Sequence, residues 1–148
     1  RGGFLRPPAP PCGHTPAAMQ TFFKPYLAAL LVLSVLDALW LGVLARDFYR
    51  EALGALMAEQ VRWVPAALFY FGYPAALVGL ALFPAGQPMS HQIARAALVG
   101  LVGYGVYDLT NLATLQHWPV RLAVVDTAWG CLASTLAGAA AAWVARRG

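Results

Sequence analysis

Four apolar stretches, each long enough to cross a bilayer as a helix, take up most of this chain: residues 25–45, 63–83, 93–115 and 120–144. A transmembrane helix needs about 20 predominantly apolar residues. The remaining composition agrees with lipid as the solvent. Hydrophobic residues make up 60% of the 148 and charged residues 11%, whereas soluble domains carry about 25% charged residues. Mean hydropathy is +0.61. The sequence therefore predicts an all-α membrane protein: one domain, a four-transmembrane-helix bundle.

The segments between the runs carry the expected punctuation. Pro25 suits a first helical turn. After Arg46-Asp47, residues 47–60 put Phe48, Ala52, Leu56 and Met57 on one side and Arg50, Glu51 and Glu59 elsewhere. That pattern predicts a short interfacial helix between spans one and two. Pro65 lies in the first turn of span two, and Gly72 with Pro74 predicts a kink there. Pro84-Ala85-Gly86-Gln87-Pro88 is a turn, and His117-Trp118-Pro119 a tight connection. Trp63, Trp118 and Trp143 stand at span ends as interface anchors, and His91 and His117 read as solvated loop residues.

Residues 1–18 hold Pro7, Pro8, Pro10, Pro11 and Pro16, a composition that does not propagate a helix. They are expected to form a disordered extension, with the transmembrane domain at 19–148. Met19-Gln20-Thr21 makes a plausible start, which leaves open whether 1–18 belong to the native protein. The first run is too long for a signal peptide, contains Asp37, and has no small-residue cleavage site before Arg46.

Several function classes drop out. The net charge of +4 comes from basic residues scattered at run ends, so no nucleic-acid partner is expected. Cys12 and Cys131 make no disulfide framework. No Cys/His cluster has metal-ligand spacing, and no cofactor motif is present. Gly100-x-x-Gly103-x-Gly105 lies inside an apolar helix and not after a strand, so it is no nucleotide loop.

The spans do contain ionisable groups: Asp37, Asp108 and Asp126, with no Lys or Arg at their depth. An aspartate at a helix centre costs roughly 2.5–3.5 kcal/mol to insert. With both termini on one face of the membrane (side A), counting residues at 1.5 Å each puts all three aspartates about 9–12 Å from the opposite face (side B). Tyr70 and Tyr73 reach the same layer from span two. Tyr104, Tyr107, Asp108 and Asn111 share a face of span three. Asp37 shares one with Trp40, as Asp126 does with Trp129. The repeated Asp-x-x-Trp pattern, on antiparallel spans, has the form an inverted repeat would take. Gly130, Ser134 and Gly138, with the glycines of span three, suit close helix packing. The predicted site is thus Asp37, Trp40, Tyr70, Tyr104, Tyr107, Asp108, Asn111, Asp126 and Trp129, binding a proton or cation without a metal or other cofactor.

The stretch Tyr104-Gly105-Val106-Tyr107-Asp108-Leu109-Thr110-Asn111-Leu112-Ala113-Thr114-Leu115-Gln116-His117-Trp118-Pro119 resembles a family of bacterial predicted membrane proteins, domain of unknown function 2177. Leu36-Asp37-Ala38-Leu39-Trp40-Leu41-Gly42, Phe48-Tyr49-Arg50 and Val125-Asp126-Thr127-Ala128-Trp129-Gly130 fit it too. The similarity runs over about 26–130 and implies four spans and the Met19 start, but no activity.

Three readings follow. The first is proton- or cation-coupled transport, or permeation, of a small solute through the Asp/Tyr/Asn cluster. Four spans enclose little space, which favours a homodimer. The second is a membrane enzyme or lipid-binding protein, with carboxyls as acid and base but no nucleophile arrangement. The third is a structural partner subunit whose polar layer sets helix register. Basic residues divide evenly between the faces: Lys24, Arg95, Arg146 and Arg147 on side A, and Arg46, Arg50, Arg62 and Arg121 on side B. Arg1 and Arg6 tip the balance toward cytoplasmic termini in a bacterial inner membrane.

Overall fold

A computed structural model describes residues 15–147, with side chains from Thr21 onward. Most of the expected extension, including Cys12, lies outside the described residues, although its last few residues already belong to the first helix. Five α-helices follow in order: α1 (Thr15–Leu39), α2 (Arg46–Leu53), α3 (Trp63–Leu82), α4 (Met89–Thr114) and α5 (Val120–Ala145). No strand occurs among the described residues. Four helices are long and apolar enough to span a membrane, over Thr21–Leu44, Trp63–Leu82, Met89–Thr114 and Val120–Ala145. Spans one and three thus begin a few residues earlier than the apolar runs suggested, because Phe22, Phe23 and the Met89–Gln92 turn continue the helices.

Span one finishes in a π-helical turn, Trp40–Leu44, whose widened ring is closed by the Ala45 N–H on the Trp40 carbonyl at 2.7 Å. The interfacial helix follows at once as α2. It stops at Gly54, whose φ of 49° a residue with a Cβ would resist. Leu56 and Met57, expected on its apolar side, lie beyond it and are exposed. The Arg121 guanidinium sits 5.1 Å over the Phe48 ring, tying α2 to the start of α5. α3 runs unbroken through Pro74. The α3–α4 turn places Gly86 at φ 85°.

α5 is the central helix, packed against α4, α1 and α3. The core lies toward side A: Ala29 and Leu33 from α1, Leu77, Val78 and Ala81 from α3, Ala96 from α4, and Ala133, Ala137 and Ala141 from α5. Small side chains let the backbones approach, the main source of helix affinity in lipid. The approach is tight at Gly100, where a Cβ would press on the Gly130 carbonyl and Ser134, and at Gly138, where it would meet the Ala96 methyl. Only the second half of α3 joins this core. Leu77 is fully buried, whereas Leu68, in the first half, is 70% exposed. From Trp63 to Gly72 no residue of α3 is buried.

Candidate functional site

Toward side B the helices carry the polar side chains. Asp37 is seven residues before the end of span one, Asp108 six before the end of α4, and Asp126 six after the start of α5. Each is therefore about 9–10.5 Å from the side-B end. They converge. Asp37 and Asp108 are 3% and 1% exposed.

The Trp129 indole N–H donates to Asp37 Oδ1 at 3.1 Å. Its ring stacks on Trp40 with centroids 4.4 Å apart and planes 6° from parallel. The Trp40 N–H donates to the Tyr49 hydroxyl at 3.3 Å, and Tyr49 in turn donates to Asp126 Oδ1. The two Asp-x-x-Trp segments therefore face each other across α1 and α5, joined directly at one end and through Tyr49 at the other.

Asp126 and Asp108 are near enough to interact electrostatically. Asp108 also accepts from the Trp118 indole at 3.2 Å and the Thr127 hydroxyl at 3.3 Å. The donors that these bonds give the three carboxyls, from Trp, Tyr and Thr, are uncharged. Burial, and then the bond to Asp126, hold the Tyr49 phenol above its ordinary pKa, so it stays a proton donor at neutral pH.

A cleft of about 390 Å³ opens beside this network. Phe69 and Tyr73 of α3 form one wall, Gly103, Tyr104 and Tyr107 of α4 the other, and Asp126 borders it. It runs along the first half of α3, where no residue is buried. Tyr104 is seated over Gly130, where no Cβ fits, and meets Tyr73 edge-on. Tyr73 and Ser134 share a hydroxyl hydrogen bond of 2.6 Å. On the other side of α4, Asp108 and Thr127 border an open apolar groove of about 700 Å³ between α4 and α5.

Of the nine residues singled out from the sequence, Asp37, Trp40, Asp108, Asp126 and Trp129 form one connected group. Tyr104 and Tyr107 line the cleft beside it. Asn111 lies one turn from Tyr107 on α4, and Tyr107 is edge-on to Trp118. Tyr70 meets Phe69 edge-on and reaches Asp37 only electrostatically. Tyr49 and Thr127 join the network without having been singled out. Trp118, read as an interface anchor, turns its N–H to Asp108. Thr127 adjoins Asp126 in the sequence, a signal that was present, whereas nothing in the pattern of residues 47–60 marked Tyr49.

A family model described as "Predicted membrane protein (DUF2177)" matches residues 22–143, and the chain belongs to that family. No curated protein and no solved structure matches it.

Proposed function

We propose that this DUF2177 protein binds the polar end of a membrane-dissolved amphiphile carrying a hydrogen-bond donor or a positive charge. One observation carries the reading: a cleft walled by Phe69, Tyr73, Tyr104 and Tyr107 is bordered by the carboxyl of Asp126. The aromatic walls suit an alkyl chain, and the carboxyls, which have no cationic partner among the described residues, suit an N–H or O–H group or a cation. Opening between two helices rather than along the bundle axis favours entry from the bilayer. The close-packed core toward side A offers no aqueous route through a single chain.

A photoactivatable long-chain alkylamine tests this. It should label peptides from α3 and α4, an Asp126→Asn variant should lose most of that labelling, and a long-chain carboxylic acid should label weakly. Equal labelling of both proteins by both probes rules the reading out.

Coupled transport is the second reading, favoured by the carboxyls meeting in one network and not as isolated groups. Flux into proteoliposomes that survives Asp108→Asn counts against it. In either case we place the protein in a bacterial inner membrane with cytoplasmic termini, on the Arg1 and Arg6 count, and as a homodimer. Reporter fusions and cross-linking test these two points.

A further inference from the structure

Four aromatic rings from two helices line the cleft beside Asp126. Phe69 and Tyr73, one turn apart on α3, have centroids 5.4 Å apart and planes 20° from parallel. Tyr104 of α4 stands at 82° to Tyr73, with centroids 6.0 Å apart. One face of the Tyr104 ring is covered by Gly130, which leaves the other to the cleft that Tyr104 lines. Tyr107 extends the α4 wall one turn nearer side B.

Aromatic faces carry partial negative charge, and rings grouped around one space are how proteins hold quaternary ammonium groups. The polar groups here suit a cation with no N–H to satisfy. The Tyr73 hydroxyl is engaged with Ser134 at 2.6 Å, and Asp126 Oδ1 already accepts from Tyr49. Asp126 is the acidic residue of the lining and acts electrostatically on the Tyr104 and Tyr107 phenols. Its charge can offset a cation across the cleft without a directed bond. A primary ammonium entering this space gives up three hydrogen bonds to water and finds few in return. A trimethylated one has no N–H to leave unmet, and its methyl groups pack against the rings.

Building on the reading of the cleft as an amphiphile site, we propose that its ligand ends in a quaternary, trimethylammonium-type head group. The rings of Phe69, Tyr73 and Tyr104 hold that group, and Asp126 offsets its charge. A cleft of about 390 Å³ takes such a head together with the start of its chain.

The test uses the full chain in uncharged detergent, labelled by the photoactivatable alkylamine. Three unlabelled competitors of one chain length end in trimethylammonium, in primary ammonium, or in tert-butyl, which has the shape of the first without its charge. The trimethylammonium compound should displace the probe at about tenfold lower concentration than either of the others, the factor a desolvated cation–π contact supplies. Tyr104→Leu should remove that preference and Tyr104→Phe should keep it, because the ring and not the hydroxyl makes the contact. Should Tyr104→Leu fail to fold, Phe69→Leu, at a position 40% exposed, should lower the preference in its place, and a preference unchanged by it overturns the proposal. Loss of the preference in Tyr104→Phe as complete as in Tyr104→Leu also overturns it, by assigning recognition to the hydroxyl. Equal displacement by the two ammonium compounds overturns it too, but leaves the amphiphile reading standing if labelling still depends on Asp126. Equal displacement by all three removes both.

Discussion

The same helices build two different interiors. Toward side A, α1, α3, α4 and α5 meet through alanines, glycines and a few leucines, and Ala29, Ala81, Ala96, Ala133, Ala137 and Ala141 are fully buried. Toward side B the meeting residues are Trp40, Trp129, Trp118, Tyr49 and three aspartates, and the first half of α3 buries no residue. The contrast has a physical cause. In lipid, apolar side chains gain nothing by leaving the solvent, so helices hold together where backbones come close. Indole rings and carboxyls need space and directed partners. Cohesion thus belongs to one half and chemistry to the other.

The largest expected effect strikes the first half. Leucine at Gly100 or Gly138 would drive a side chain into the Gly130 carbonyl or the Ala96 methyl. Loss of about 3 kcal/mol or more is expected in detergent-driven unfolding. A Gly138→Leu protein as stable as wild type would remove the basis for assigning cohesion to that end.

An intermediate effect is expected among the carboxyls. Asp37→Leu strands the Trp129 N–H and should cost about 1–3 kcal/mol in the same titration. The displaced stack with Trp40 should also change the tryptophan emission. An unchanged spectrum would mean that the pair is held by packing alone.

The smallest effect sharpens the contrast along a single helix. Leu68→Ala should shift stability by no more than about 0.5 kcal/mol, whereas Leu77→Ala should cost about 2–5 kcal/mol. Equal losses would show that the first half of α3 has a partner, with a second copy of the chain the first candidate.

Much of this was legible in the sequence because two quantities are nearly local. The length of an apolar run gives a span, and a fixed rise per residue gives depth, so Asp37, Asp108 and Asp126 could be placed in one layer by counting. Side-chain direction at the connections was not legible. Trp118 reads as an anchor from its position at a span end, and only the turn bringing its indole back over Asp108 makes it a ligand. The exposure of the first half of α3 was not read from the sequence either, although that half carries Trp63, Phe69, Tyr70 and Phe71 where the second is mostly Ala, Leu and Gly. Tyr49 depends on where α2 lies, which is set by the residues before it.

Those residues are the π turn, Trp40–Leu44. A π turn amounts to one residue inserted into an α-helix, and each residue rotates the chain by about 100°. All that follows, α2 and its tyrosine included, inherits that rotation. The link between Trp40 and Asp126 is therefore encoded in how many residues the segment contains as much as in which ones they are. A chain one residue shorter here would keep every functional group and aim its phenol at the lipid.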